Sequence, residues 1–104
     1  MVELLTNDYE FCVDKFGLDD KIVDQLKNGY YGNVDENAKC FTKCFFERAG
    51  FMDSEAKLNE DFIIEKVSAV LPREKILNLL LKCDEDIGEN ACDTAFRFYQ
   101  CFRE

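Results

Sequence analysis

The chain has 104 residues, of which 47% are hydrophobic, and this predicts a single domain over residues 1–104. Its 22 acidic and 13 basic residues give a formal net charge of −9. Nucleic acids and anionic membrane surfaces select basic patches, so this charge argues against both as partners. No apolar stretch approaches the roughly 20 residues of a membrane span, so stable membrane insertion is not expected.

Along the whole chain, capping residues and glycines mark the ends of segments with helical periodicity, and no strand alternation occurs. This predicts an all-α domain of about six short helices. The predicted helices run from Thr6 or Asn7 to Phe16, from Asp19 to Lys27, from Asp35 to Gly50, from Asn59 to Leu71, from Pro72 to before Gly88, and from Asn90 to about Phe102.

The fifth predicted helix contains the most apolar run of the chain, from Ile76 to Leu81, interrupted only by Asn78. A helix that is apolar nearly all round is typically buried on every side. We therefore expect this helix to be the central one.

Six cysteines, with 27, 3, 38, 8 and 8 residues between them, indicate a disulfide framework and a secreted protein in extracellular fluid. Cys40 and Cys44 lie on one helix face, so a bond between them would constrain almost nothing. Cys92 and Cys101 point to opposite sides of one helix and cannot pair. These exclusions leave about ten of the 15 possible pairings open. Because Met1 to Asp8 contain no signal-like apolar run, we expect the mature form.

Enzyme chemistry is not expected. The chain has no histidine, which excludes histidine-based catalytic triads and zinc sites, and an even disulfide framework uses all six cysteines. Its acidic pairs, such as Asp19 with Asp20, stand at helix ends or in polar loops, where acidic residues are common for dipole reasons. No catalytic residue, cofactor or metal is predicted.

The cysteine spacing, taken together with the segments Lys39–Cys44 and Cys92–Phe102, resembles the insect odorant-binding protein family, which includes the pheromone-binding proteins. The resemblance spans residues 12–102. It implies the bridges Cys12–Cys44, Cys40–Cys92 and Cys83–Cys101. It further implies six helices around an internal apolar cavity, and a secreted carrier that binds and solubilises small hydrophobic ligands.

The resemblance also places the ligand-contacting positions of the family on particular residues of this chain. Nearly all of them are apolar here, as the wall of a cavity should be. Thr42 is an exception, and we expect its hydroxyl to bond a carbonyl one turn back rather than a ligand. The implied ligand-binding residues are Leu5, Tyr9, Thr42, Phe46, Phe51, Leu77, Leu80, Ala95, Phe98 and Phe102.

The phenylalanine-rich wall favours a long apolar ligand, such as a fatty acid or a long-chain aldehyde, alcohol or ester. Only Phe102, Arg103 and Glu104 follow Cys101, so we expect no C-terminal tail over the cavity. The basic residues Lys43, Arg48, Arg97 and Arg103 are candidates for meeting a ligand carboxylate, although solvated surface charges are the more common case. Without histidine, any acid-triggered release would depend on carboxylates and occur below about pH 5.

Two alternative functions remain at this stage. A saposin-like membrane-lipid interacting protein is also small, helical, acidic and three-bridged, but it needs cysteines paired near the termini, whereas Cys12 stands alone. A haemolymph or salivary protein of the same fold could instead bind a protein partner or serve a structural role. The sequence predicts neither a receptor for this protein nor its oligomeric state.

Overall fold

The structure, a computed structural model, describes the backbone of residues 2–32, 34–84 and 87–103, and their side chains except those of residues 2–7 and 103. The described residues form six α-helices and no strand, which confirms the all-α prediction. These helices are α1 (Val2–Phe16), α2 (Asp20–Lys27), α3 (Glu36–Arg48), α4 (Glu60–Val67), α5 (Arg73–Cys83) and α6 (Ala91–Arg103).

Several of the predicted capping residues do cap the first turn of a helix. The carboxylate of Asp19 accepts from the backbone N–H of Lys21, and that of Asp35 accepts from Ala38, each at 2.9 Å. The side-chain oxygen of Asn90 accepts from the N–H of Asp93 in the same way. Short polar side chains satisfy the free N–H groups of a first helical turn, which is why these boundaries are readable from sequence.

Three predicted boundaries are wrong, one of them being the end of α5, which lies at Cys83 rather than just before Gly88. α1 begins at Val2, so the cap candidates Thr6 and Asn7 lie inside the helix. α4 ends at Val67, and the following turn leaves Val70 68% exposed instead of on the buried face. Apolar spacing continued through this turn, but Pro72 prevents the chain from remaining helical up to its own position.

The predicted disulfide pairing is confirmed: the bridges are Cys12–Cys44, Cys40–Cys92 and Cys83–Cys101. The first ties α1 to α3, the second ties the start of α3 to the start of α6, and the third ties the end of α5 to the end of α6. α3 and α6 therefore each hold two of the bonded cysteines, and they pack against one another more extensively than any other described pair.

α5 is not the central helix, contrary to the prediction. Ile76, Leu80 and Cys83 are buried, but Leu77 is 38% exposed and Leu81 is 75% exposed. Only one face of α5 meets α4 and α6, while the α3–α6 pair occupies the centre. Hydrophobicity on all sides of a helix thus did not indicate burial on all sides here.

The core has two parts, which lie on either side of this pair. We call them the Phe46 cluster and the Phe41 cluster. Phe45 and Tyr99 are half-buried and pack against both, so they connect the two parts. The buried members of the Phe46 cluster are Phe46, Met52, Ala56, Ile63, Val67, Ile76, Leu80, Cys83, Ala95, Phe98 and Cys101. Those of the Phe41 cluster are Cys12, Leu26, Ala38, Phe41, Cys44 and Phe96.

A tight turn at Gly50 leads from α3 into the connector of residues 51–58. Gly50 has φ +83°, a conformation that costs other residues about 1–2 kcal/mol. The N–H of Phe51 donates to the carbonyl of Phe46 at 2.9 Å, and the side chain of Asn59 donates to the carbonyl of Gly50 at 3.0 Å. These bonds close the connector and position Phe51 against the Phe46 cluster.

Substitution of Gly50 by alanine is expected to destabilise the protein more than the same change at Gly17. Both glycines have positive φ, so both changes cost about 1 kcal/mol or more in backbone strain. A Cβ at Gly50 would also lie 2.8 Å from Cε1 of Phe62, whereas a Cβ at Gly17 has nothing within 4 Å. Urea unfolding of Gly50→Ala and Gly17→Ala measures the difference, expected to be about 1 kcal/mol. Equal losses would mean that the Phe62 ring yields without cost.

Candidate functional site

The aromatic part of the Phe46 cluster is the strongest candidate for a functional site. Phe46 is 7% exposed, and its ring centroid lies 5.2 Å from Phe98 in an edge-to-face contact. Phe51 is stacked on it at 6.3 Å, and Phe102 continues the group 5.6 Å from Phe98. Rings from α3, the connector and α6 thus pack together as one apolar group inside the frame of disulfides.

Most of the predicted ligand-binding residues come together here. Leu80, Ala95 and Phe98 are buried within the cluster together with Phe46, and Phe51 and Phe102 are half-buried against it. Leu77, one turn before Leu80, is 38% exposed. Exposure in this group therefore rises from the buried rings of Phe46 and Phe98 to Phe51 and Phe102 at its edge, and Leu77 is not among the residues packed against the cluster.

Three predicted residues lie elsewhere. Thr42 is buried, and its hydroxyl donates to the carbonyl of Lys39 at 2.6 Å, one turn back as expected. Tyr9 belongs to the Phe41 cluster, where its ring meets Phe41 edge-on at 5.6 Å. Leu5 lies on α1, and its side chain is outside the described residues.

Several residues around Phe46 were not predicted. Met52, Ile63 and Ile76 are buried members of the same cluster, and the rings of Phe45 and Tyr99 lie 5.8 and 6.4 Å from that of Phe46. Spacing from the cysteines carried no signal for the first three. For Phe45 and Tyr99 the signal was present, since each directly neighbours a predicted aromatic residue on its helix.

A recess of about 340 Å³ opens beside this cluster, between the connector, the end of α5 and α6. Phe98 lines it, so the recess reaches one of the central rings from outside. The rim carries charged side chains of both signs. The lining residues are Glu55, Ala56, Lys57, Leu58, Cys83, Asp84, Ile87, Thr94 and Phe98.

The described basic candidates have acidic partners. Arg48 lies 3.3 Å from Asp8 and stacks over the ring of Phe11, and Lys43 forms an ion pair with Glu47 one turn on. Arg97 contacts Asp93 at 3.1 Å. The side chain of Arg103 is outside the described residues. Such pairs favour a surface role for the first three residues rather than a ligand contact.

Asp93 is a buried charge that ties α6 to α3. Its carboxylate accepts from Lys39 Nζ at 2.9 Å, from the N–H of Glu89 at 3.0 Å and from Arg97 Nε at 3.1 Å. The hydrogen bond from Lys39, followed by that from Glu89, lowers the pKa of Asp93 to about 2. This carboxylate therefore stays largely ionised just below pH 5, where acid-triggered release was expected to begin, and is protonated only near its pKa of about 2.

Glu60 behaves in the opposite way. It begins α4 at an exposed position, and desolvation by its surroundings together with the neighbouring carboxylate of Asp84 raises the pKa of its side chain. Ionisation of Glu60 therefore costs the folded state some free energy, which is regained when the carboxyl group is protonated in acid. Because Asp84 also lines the recess, Glu60 is a better candidate than Asp93 for any acid sensitivity.

A grouping of Glu36, Cys40 and Cys92 has the proximity of a metal site but not its chemistry. The two cysteines are bonded to each other, so neither offers the thiolate that a metal requires. No described helix has the length and apolarity needed to cross a bilayer.

Comparison with known proteins gives a consistent assignment. The sequence model of the PBP/GOBP family matches residues 1–104. General odorant-binding protein 56a of Drosophila melanogaster is 37% identical over 93 residues, which cover 89% of this chain and 66% of that protein. Odorant-binding protein 10 of Aedes aegypti is 28% identical over 94 residues, with coverage of 89% and 66%. The chain thus spans slightly less than two thirds of these relatives.

Solved structures share the fold. A protein described as the fatty acid binding protein OBP56a from the oral disk of the blowfly Phormia regina has 30% identity and a TM-score of 0.78. The similarity covers 95% of this chain and 85% of that one. Odorant binding protein 5 of Apis mellifera has a TM-score of 0.80 at 19% identity, with coverage of 96% and 84%. The latter likeness concerns the fold alone.

Asp93→Asn is expected to destabilise the protein at neutral pH and to have little effect in strong acid. The folded-state pKa of about 2 lies below the ordinary aspartate value, so the ionised carboxylate stabilises the fold above about pH 4. This contribution, of order 2 kcal/mol, is lost as the pH falls from about 4 to about 2.

Urea unfolding at pH 7, 4 and 2 measures this dependence, and Asp14→Asn, on an exposed position of α1, is the control. A difference between the wild type and Asp93→Asn that does not change with pH would contradict the assigned role of the ionised carboxylate.

Proposed function

Since the chain belongs to the PBP/GOBP family, whose named relatives are binding proteins rather than enzymes, we propose that it is a secreted carrier of a long apolar ligand. The ligand binds in an internal apolar site built around the ring of Phe46. The observation that carries this proposal is the convergence of Phe46, Phe51, Phe98 and Phe102 in one aromatic group.

The covalent frame supports a site in this position. Bridges that span 32, 52 and 18 residues each offset roughly 3–4 kcal/mol of chain entropy in the usual treatment. A small domain with this support tolerates the packing loss that accompanies an opening in its core better than an unbridged one does. Three bridges with no free cysteine also support an oxidising, extracellular location.

A long chain is the ligand shape that this site favours. The aromatic group extends from Phe51 through Phe46 and Phe98 to Phe102, and each successive pair of centroids is 5–7 Å apart. An extended hydrocarbon chain can lie along such a row, whereas a short ligand would contact only part of it. The blowfly protein with 30% identity, described as binding fatty acids, supports the same ligand class.

The recess lined by Phe98 is the route by which we expect the chain to reach the aromatic group. A saposin-like function is less well supported, because Cys12 is bonded to Cys44 in the middle of the chain rather than to a cysteine near the other terminus. A partner-binding or structural role on the same fold predicts that delipidated protein binds no apolar probe.

Fluorescent-probe displacement on delipidated protein tests the proposal. We expect palmitate to displace N-phenyl-1-naphthylamine far better than hexanoate or a short amine does, because only the long chain covers the whole row of rings. Stronger displacement by the short or amine ligands would contradict a long-chain site. Failure of the wild type to bind the probe or palmitate would favour the structural role.

Phe102→Ala is expected to weaken palmitate binding about fivefold or more, since removal of one ring contact of about 1 kcal/mol corresponds to that factor. Phe102 is half-buried at the edge of the cluster, so its loss should leave the fold intact. Phe11→Ala is the matched control, because Phe11 is 47% exposed on α1. Equal affinities of the two variants in the same assay would exclude Phe102 from the site.

A further inference from the structure

Tyr9 carries a hydroxyl group that the described fold leaves without a hydrogen bond. Its ring packs edge-on against Phe41 at 5.6 Å and Phe45 at 6.4 Å. The hydroxyl oxygen is sealed from solvent, and no described donor or acceptor lies within hydrogen-bond reach of it. A buried hydroxyl in this state destabilises a protein, and native folds rarely retain one.

The hydroxyl of Tyr99, in contrast, has a hydrogen-bond partner in the fold. The hydroxyl of Tyr99 donates to the carbonyl of Leu26 at 2.7 Å, and its ring packs against both the Phe41 cluster and the Phe46 cluster. A phenylalanine would fill the position of Tyr9 with the same ring contacts and no unbonded oxygen. The hydroxyl of Tyr9 is therefore better explained by a role outside folding.

The surroundings of Tyr9 favour an anionic partner. Lys27, near the end of α2, places its ammonium 4.7 Å from the centroid of the Tyr9 ring. The positive charge lies over the ring face, so a group next to the hydroxyl experiences an attractive field if it is negative. A carboxylate oxygen meets both conditions, because it accepts a hydrogen bond and carries the opposite charge.

Tyr9 is also connected to the proposed ligand site. Its ring lies 6.4 Å from that of Phe45, and Phe45 lies 5.8 Å from Phe46, so the ring of Tyr9 is at most about 12 Å from that of Phe46. An extended long-chain acid is longer than this distance. Its head can therefore reach Tyr9 while its tail lies along the rings of Phe46 and Phe98.

We propose that the hydroxyl of Tyr9 is the polar anchor of the bound ligand and donates a hydrogen bond to the carboxylate of a long-chain acid. Lys27 adds attraction to the same head group. The hydroxyl is sealed in the present conformation, so the ligand head reaches it by displacing a neighbouring side chain, and the new hydrogen bond compensates for that displacement. This inference deepens the proposed function and rests on it.

Tyr9→Phe tests the anchor through two ligands that differ at the head. We expect the variant to bind palmitate about tenfold more weakly than the wild type, since a hydrogen bond to a charged group is lost. Binding of N-phenyl-1-naphthylamine, which has no carboxylate, should change less than about twofold. Tyr30→Phe, at an exposed position, is the control for loss of a hydroxyl.

Thermal unfolding of the delipidated variants provides a second measurement. Tyr9→Phe should unfold no lower than the wild type, because it removes an unbonded hydroxyl, whereas Tyr99→Phe should unfold lower, because it breaks the bond to Leu26. Lys27→Met should weaken the binding of palmitate but leave the binding of methyl palmitate unchanged. This comparison separates the contribution of the charge from that of the hydrogen bond.

Two results would overturn the anchor while leaving the carrier function intact. One is tight palmitate binding by Tyr9→Phe, equal to that of the wild type. The other is an equal loss of palmitate and probe binding, which would indicate a packing role. If the wild type binds neither ligand, the carrier function and the anchor fail together.

Discussion

The covalent connection of α3 and α6 is the constraint on which the rest of the structure depends. Cys40–Cys92 joins the starts of these two helices directly, and each helix uses its second cysteine to hold a neighbour: α1 through Cys44 and α5 through Cys101. Asp93 adds a buried ionic contact from α6 to Lys39 of α3, next to the central bridge. The three bridges and this ion pair thus tie four helices together.

This arrangement explains why the core is divided. With α3 and α6 clamped together, their side chains must face outward to both sides of the pair, and the apolar residues of each helix are shared between two clusters. Phe96 faces the Phe41 cluster and Phe98 faces the Phe46 cluster, although they are only two residues apart. Phe45 and Tyr99 contact both clusters, so a substitution on one side of the helix pair can alter the packing on the other side.

Much of the fold was readable from the sequence because its signals are local. Asp19, Asp35 and Asn90 cap helices through bonds to N–H groups two or three residues away, and such contacts need no knowledge of the rest of the chain. The disulfide pairing was not derivable from local geometry alone, and it followed from the resemblance of the whole cysteine pattern to a family. Most of the predicted ligand-binding residues do converge on Phe46, but whether they contact a ligand is still a prediction.

The failures have a common cause, which is that burial depends on what a helix packs against. The run from Ile76 to Leu81 is apolar, yet the disulfides place α3 and α6 at the centre and leave Leu77 and Leu81 of α5 exposed. The bonding of Asp93 was equally invisible, because Lys39 lies 54 residues away and only the clamped helix pair brings it within reach. The orphaned hydroxyl of Tyr9 likewise depends on tertiary packing.

The most direct test of a long-chain site around Phe46 is to observe intermolecular nuclear Overhauser effects between carbon-13-labelled palmitate and the aromatic protons of the delipidated protein. We expect contacts from the chain methylenes to Phe46, Phe98 and Phe102. Contacts only to exposed apolar residues such as Phe11 and Leu81, or none at all, would contradict the account.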